Sequence, residues 1–564
     1  MTKETKGLNR REFIELSVAG TAAISLSPIS AVAAEPKRGG TVNACIGWLI
    51  QTPDPHRWGG GWARRHMSLV YEGLTQPTSM GDRLKAIQEK SIAAVGDVKP
   101  MLAESWEIEN NGKRYVFHLK KGVKFHNGKE LDSEDIKWNY QRIQDPANLA
   151  HGRGILTMFL DSMETPDKYT FVANLTQSYG GFLMANAWVN APILPKDCVP
   201  KGVIWGQTKT FTPPTAGPPG TGPFILAEYK QKYRAVYDAF KDYRVKGLPY
   251  LDRVIYNVIT QETPRTLALR AGNVQFAIML EANYLSRKLK GQKTSQVFCD
   301  KKEGLCFYTT PYKMSPYTLY LNCHDTKGGS PFKDVRVRQA LDYCLDREKL
   351  AKAVWGDLAV PLGQPFNPQV SPWGYSDISY RKRDIEKARQ LLKEAGYPNG
   401  VDVNFYITTT FGKQSMVAQV VQQMAAPAGL RIKIITEMGL QYWGRLTSMN
   451  YHILHYSLGF EDPMKPIFDW LHTDQEKPYN GYAPVTGLKD PVLDKLLDQV
   501  AAEDDFKKRR DLFKKAVLRI QDQAEILPYL SPIYGWGWTD KLKNVDPNKY
   551  FWPEQALREA WLES

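Results

Sequence analysis

Residues 102–128 read Leu102-Ala103-Glu104-Ser105-Trp106 and, eight residues later, Tyr115-Val116-Phe117-His118-Leu119-Lys120-Lys121-Gly122-Val123-Lys124-Phe125-His126-Asn127-Gly128. Tyr115–Leu119 is a strand pattern of aromatic and β-branched residues. Gly122 and Gly128 stand where tight turns around that strand need a residue without a Cβ. His118 and His126 are read as fold residues, not as metal ligands. Just downstream, Asp132 and Ser133 open a helix. Its residues Ile136, Tyr140 and Ile143 recur at helical spacing and form one apolar face.

The same alternation continues outward. Asp334 starts a helix whose Val337, Leu341, Cys344 and Leu345 face inward. Asp384 starts another, with Ile385, Ala388, Leu391, Leu392 and Ala395 expected to be buried; Gly396 ends it and Pro398 follows. Val254–Ile259, Val401–Ile407 and His452–Ser457 read as strands, as does Thr41-Val42 after the flexible Gly39-Gly40. Strands and helices mixed throughout place the chain in the α/β class. The Pro- and Gly-rich stretch from Phe211 to Pro223 marks a connection between units, and Pro361–Gly374 is a second loop-rich region. The sequence shows no internal repeat.

The 564 residues carry 43% hydrophobic and 24% charged side chains, a globular composition. The formal charge of +14 raises the question of nucleic acid. The basic residues are interleaved with acids, and there is no zinc-finger spacing or RNA-binding signature, so no nucleic-acid partner is expected. The densest run, Lys507-Lys508-Arg509-Arg510, follows Glu503, Asp504 and Asp505 and reads as a solvated helix face. At the N-terminus, Asn9-Arg10-Arg11-Glu12-Phe13-Ile14 precedes a weakly apolar stretch that ends Ala31-Val32-Ala33-Ala34. This is a signal-peptide pattern, and the paired arginines resemble a twin-arginine export signal, with Asn9 and Glu15 departing from the usual residues. A stretch interrupted by Pro28 and several serines is too polar to span a bilayer. Cleavage near residue 34 removes four basic and three acidic residues and leaves +13. An exported chain meets an oxidising compartment. Of Cys45, Cys198, Cys299, Cys306, Cys323 and Cys344, the pair flanking the hairpin-like Asp300–Leu305, Cys299 and Cys306, is the best candidate for a disulfide.

Taken in order, several segments resemble the family 5 extracellular solute-binding proteins. They are Gly39-Gly40-Thr41 with Pro53-Asp54-Pro55-His56; Val70-Tyr71-Glu72-Gly73-Leu74; the 102–128 block; and Gly220-Thr221-Gly222-Pro223-Phe224. Further on come Pro331 to Leu341 with Leu345-Asp346-Arg347, and Ala388 to Gly400. The resemblance implies a two-lobed periplasmic-binding-protein fold with an extra domain and a ligand taken between the lobes. It implies a discontinuous partition: domain I over 35–85, 207–300 and 520–564, domain II over 86–206 and domain III over 301–519. It implies a periplasmic monomer that binds a peptide-like compound, an oligosaccharide or another organic solute and hands it to the permease subunits of an ABC importer. No cofactor is implied.

In peptide-binding relatives an Asp shortly before an acidic-Pro pair holds the ligand's ammonium. Aligned on Asp462-Pro463, that position is Gly459, which argues against ordinary peptides, because a buried ammonium needs a paired carboxylate. Glu461 or Asp462 can substitute, or can cap the following helix. Tyr456, Trp443 and Trp48 are candidate pocket aromatics, with core packing the alternative for each. Arg64, in Arg64-Arg65-His66, is a candidate for an anionic group, with a solvated helix start as the other reading. An exported enzyme finds little support. His452 and His455 point to opposite faces of a strand and cannot share a metal. No HExxH, GxSxG, GxGxxG or P-loop occurs. A sensory binding protein with the same fold remains the other reading.

Overall fold

The computed structural model describes residues 35–47, 49, 52–57, 65–89, 98–148, 150, 153–157, 159–187, 190–199, 216–230, 232–290, 295–310, 316–324, 330–408, 413–437, 440–457, 467–473 and 486–563. The chain divides into Met1–Pro36 and a second unit, Lys37–Ser564, which carries the architecture below.

Three larger sheets organise the second unit. The first has eight strands. Thr41–Ile46 lies inside it, parallel to Arg253–Val258 on one side and to Phe276–Ile278 on the other. Gly535–Thr539 then pairs antiparallel with both Phe276–Ile278 and Leu305–Thr309. The second sheet has six strands, with Val401–Thr408 parallel to Leu430–Glu437 and to Ile453–Ser457. Tyr317–Leu321 and Ile526–Pro532 extend it antiparallel. The third is a four-stranded antiparallel sheet, Ala103–Glu109, Arg114–Leu119, Thr170–Leu175 and Leu160–Asp167, with the helix Ser133–Gln144 packed on one face.

The helices form where the sequence places their caps. Asp132 caps Ser133–Gln144 in a capping box with Asp135, and Ile136, Tyr140 and Ile143 are fully buried. Asp334 caps Val335–Cys344, whose Val337, Leu341 and Cys344 are fully buried, with Leu345 beside them. Asp384 caps Ile385–Glu394, and Gly396 follows with φ +91°. There the expected face is too wide. Ala388, Leu391 and Leu392 are buried, but Ile385 and Ala395, at the ends, are half-buried.

Two readings of charge are corrected. Arg509 is buried, not solvated. Its Nε donates to the Val500 carbonyl at 3.0 Å and its guanidinium covers Trp373. Arg510 donates to the carbonyls of Pro372 and Gly374 and covers Tyr375, so only the lysines of that run face outward as expected. Arg65-His66 is likewise no solvated helix start. His66 is fully buried with Nδ1 on the Tyr237 hydroxyl, and Arg65 lies over Trp552 beside Glu554.

The Gly220-Thr221-Gly222 turn is tight for a stated reason. A Cβ at Gly220 would land on the Val70 carbonyl oxygen, and one at Gly222 on that of Leu69. Thr221 Oγ1 donates at 3.2 Å to Glu72, a fully buried carboxylate that also accepts from Tyr243, Arg244 and Arg558. That cluster pins three distant parts of the chain together. His126 bonds the Gly222 carbonyl at 3.0 Å, while His118 lies beside Glu107 on the open face of the four-stranded sheet. Cys299 and Cys306 stand opposite each other in register and are joined by a disulfide; Cys45, Cys198, Cys323 and Cys344 are free thiols.

Candidate functional site

In open α/β sheets the carboxyl ends of parallel strands form the natural crevice for a ligand. Here each large sheet has one parallel set. The first ends at Ile46, Val258 and Ile278, the second at Thr408, Glu437 and Ser457. Charge gathers immediately beyond these ends. Glu262 opens the helix Glu262–Arg270, and Glu281 caps Ala282–Lys288. On the other side Lys413, with φ +69°, precedes the helix Gln414–Ala425. Burial lowers the Lys413 pKa, and Glu262 and Glu281 pull it back up. Burial raises the Glu262 pKa, and Lys413 and Arg265 oppose that rise. Glu262 and Lys413, one beyond each set of strand ends, are thus close enough for their charges to act on one another.

Arg265 braces the first set. Its guanidinium is buried and donates to the carbonyls of Ile259, Thr260, Ile278 and Met279 at 2.6–3.0 Å. It lies under Gly47, where a Cβ would come within 3.1 Å of Nη1. These carbonyls are orphans of strand ends that have run out of ladder partners, and one planar donor fork satisfies them.

The chain crosses between the two sheets twice. Leu305–Thr309 is followed by Tyr317–Leu321, and Ile526–Pro532 by Gly535–Thr539. The crossings are tied together by the Thr310 amide on the Tyr534 carbonyl at 3.1 Å and by the Tyr317 and Tyr534 hydroxyls at 2.5 Å. A register shift at Tyr317/Thr318 leaves Tyr529 as the extra residue on the facing strand. Arg347 Nε satisfies the neighbouring Pro528 carbonyl at 3.0 Å, and Tyr529 turns its hydroxyl to His455 Nε2 at 2.5 Å. Tyr317 lies 5.3 Å from Trp355, over which Lys413 Nζ sits at 5.0 Å while donating to the Val354 carbonyl. On the opposite face of the six-stranded sheet Tyr456 stacks on Trp470 at 5.1 Å, and Tyr320 meets Trp470 at 5.3 Å.

Of the residues singled out from sequence, Tyr456 is half-buried in that aromatic group. Trp443 lies in the helix Leu440–Ser448, and its side chain is outside the described residues. Trp48, Arg64, Gly459, Glu461 and Asp462 also lie outside the described residues. Sequence reasoning missed Glu262, Lys413, Tyr317, Trp355 and Tyr534. The available signal was position: a charged residue directly after a strand, at the start of a helix. Among the described residues no group of three His, Cys, Asp or Glu side chains is arranged to hold a metal ion. Nor is any helix among them long and apolar enough to cross a membrane.

The comparisons with known proteins agree with this geometry. The family model described as "Bacterial extracellular solute-binding proteins, family 5 Middle" matches residues 97–478. The chain is 28% identical over 495 residues to heme-binding protein A of Haemophilus influenzae, covering 82% of this chain and 84% of that one. It is 27% identical over 460 residues to the dipeptide-binding protein of Escherichia coli, covering 76% and 80%. Among solved structures, AgaA of A. tumefaciens R10 in complex with agropinic acid superposes with a TM-score of 0.77 at 23% identity, covering 93% of this chain and 99% of that one. The oligopeptide-binding protein AppA of Bacillus subtilis with a nonapeptide gives 0.77 at 22% identity, covering 94% and 100%. The fold is thus the mixed α/β, two-lobed fold of the periplasmic binding proteins, its relatives bind and transport solutes, and the chain belongs to the family 5 bacterial extracellular solute-binding proteins.

Proposed function

We propose that this protein is the periplasmic solute-binding component of an ABC importer. It captures one small organic solute by closing two lobes and delivers it, as a monomer, to membrane permease subunits. The observation that carries this reading is a pair of sheets, each with its own parallel strand set and joined by a double crossing, in a chain of this family. A twin-arginine signal in residues 1–34 would export it. For the domain partition we keep the sequence expectation, domain I over 35–85, 207–300 and 520–564, domain II over 86–206 and domain III over 301–519, and propose two adjustments to it. Leu305–Thr309 goes with the first lobe, and Ile526–Pro532 goes with the second, so the crossings fall near 310–316 and 533–534.

Gly459 at the amine-binding position disfavours ordinary peptides bound as in peptide-binding relatives. The named relatives still define the panel to test: haem, dipeptides, a nonapeptide and agropinic acid. The experiment is a thermal-shift screen of residues 35–564 against these, with oligosaccharides, organic acids and metal chelates. A ligand at 100 times its Kd adds about 2.7 kcal/mol of stability. A raised midpoint with one class, with that compound recovered unchanged, is the expected result. Turnover of any compound by mass spectrometry, with no shift, overturns the reading in favour of an exported enzyme. Binding without permease-dependent uptake in cells assigns the protein to sensing instead.

A further inference from the structure

One buried cation of the second lobe is left incomplete, and it borders a cavity. Arg347 opens the helix Arg347–Trp355, and its side chain is 2% exposed. Nε donates to the carbonyls of Leu362 and Pro528 at 2.9 and 3.0 Å, and Nη2 donates to Asp342 at 2.6 Å. Nη1 is buried as well and bonds no described residue. The centre of the Tyr380 ring lies 5.3 Å from the guanidinium carbon. A ring face attracts a cation but leaves its in-plane N–H donors unanswered. An unmet donor on a buried charged group is costly, and such a group calls for a partner.

The cavity has a volume of about 220 Å³, and Arg347 lines it. That is many times the roughly 10–15 Å³ that one water needs. With Nε and Nη2 engaged, Nη1 is what Arg347 has to offer there. Arg381 lines the cavity too; its Nη1 donates to Asp342 at 2.8 Å and to the Gln521 carbonyl. Asp342 is buried between the two and gives one oxygen to each. Two guanidinia against one buried carboxylate leave an excess of positive charge. The other acid at the cavity, Asp522, is 61% exposed and lies 3.6 Å from Arg519. The remaining wall is apolar, with Ile526 and Leu527 buried and Leu518 49% exposed. Gly363 lets Tyr380 close in on one side, because a Cβ there would collide with the Tyr380 Cβ.

This is not the crevice beyond the strand ends. Ile526 and Leu527 pair with Tyr320 and Leu319, and these with Leu454 and His455. The parallel strand that holds the last two runs on to Ser457 before it ends. We propose that the cavity is a second binding site, for a small organic carboxylate. The charged end of the ligand meets Arg347 Nη1 and Arg381, and its short apolar body lies along Ile526, Leu527 and Leu518. A guanidinium matches a carboxylate in shape and charge, and the apolar wall favours an organic body over a bare inorganic anion. The site goes beyond the importer reading and needs no closure of lobes, since every wall comes from residues 342–381 and 518–528.

The probe is 4-bromobenzoate, whose bromine anomalous diffraction locates in soaked crystals of residues 35–564. Calorimetry measures its affinity for the native sequence, Arg347→Lys, Arg381→Gln and Leu518→Trp, with unliganded melting temperatures as the folding control. 4-Bromobenzamide is the uncharged control and inorganic phosphate the control without an apolar body. The bromine is expected in this cavity. Both controls and all three variants are expected to bind or be bound roughly tenfold more weakly. Arg381 and Leu518 are partly exposed, so their variants decide the matter if Arg347→Lys does not fold. The proposal falls if the bromine lies elsewhere or nowhere, if the amide binds as tightly as the acid, or if either Arg381→Gln or Leu518→Trp keeps the native affinity. Phosphate binding more tightly than the probe overturns the organic class. A carboxylate found between the two large sheets and not here overturns this site and leaves the importer reading intact.

Discussion

Two cations stand just beyond the parallel strand ends, one for each large sheet, and are built in opposite ways. Arg265, on the first lobe, spends its guanidinium on four carbonyls of the strand ends and is buried. Lys413, on the second, keeps a half-buried ammonium with one carbonyl and a ring. The interiors differ as well. In and beside the first lobe, burial holds three histidines neutral: His66 is pushed down to about 3, His56 and His126 to about 4. In the second lobe burial drives a carboxyl the other way: Glu525 is raised to about 7, with Thr486, at 2.8 Å, the only side-chain donor to it among the described residues. A saturated charge is structure. An unsaturated one is either a site or a sensor of pH.

The largest expected effect separates the lobes by pH. A histidine with a depressed folded pKa contributes stability that is present above about pH 6.5 and lost as pH falls toward the folded value. Between pH 6.5 and 5 each of the three loses roughly 2 kcal/mol, from about 1.36 kcal/mol per unit. Hydrogen exchange at pH 7 and pH 5 should show the first lobe loosening in acid. Equal protection at both pH values would erase the contrast. Next in size, Arg265→Met leaves four carbonyls unpaired, those of Ile278 and Met279 buried, and should cost about 3–5 kcal/mol in urea unfolding. A loss under 1 kcal/mol would mean the strand ends find other donors.

Glu525 sharpens the comparison from the other side. A carboxyl with a raised folded pKa contributes stability below about pH 4.5 that is lost as pH rises through about 7. Glu525→Gln should therefore raise the melting temperature at pH 8 and leave it unchanged at pH 4.5. The gain at pH 8 is at most about 3 kcal/mol, the linkage value for a rise of two to three units. The smallest effect is the most telling. Lys413→Met should change unliganded stability by less than about 1 kcal/mol, because it gives up one half-buried hydrogen bond, to the Val354 carbonyl, and one ring contact. A loss as large as that of Arg265→Met would make the two cations alike.

Much of this architecture was legible in the sequence because caps and periodicity are local. Asp132, Asp334 and Asp384 announce helices that form, and the strand expected over Tyr115–Leu119 forms as Arg114–Leu119. Cys299 and Cys306 flank a hairpin short enough to read directly. What escaped reading depends on partners far along the chain. Arg509 looks like one member of a basic run until Trp373, 136 positions earlier, is seen beneath it. His66 looks polar until Tyr237 covers it. Glu262 and Lys413 carry no motif at all, since their charges act on one another only once distant stretches of chain meet. The candidates read from family position fall mostly on residues outside the description, and Tyr456 alone is seen in its aromatic setting.

Gly535–Thr539 has a temporal consequence. It lies inside the eight-stranded sheet, between Phe276–Ile278 and Leu305–Thr309, yet it comes within the last thirty residues of the chain. Until it arrives, the strands on either side present unpaired edges to each other, and Trp536, fully buried in the finished lobe, is missing from the core. The first lobe to be started is therefore the last to be completed. A ribosome must release nearly the whole polypeptide before that sheet can close, and any truncation ahead of residue 535 yields two halves of a sheet rather than a smaller domain.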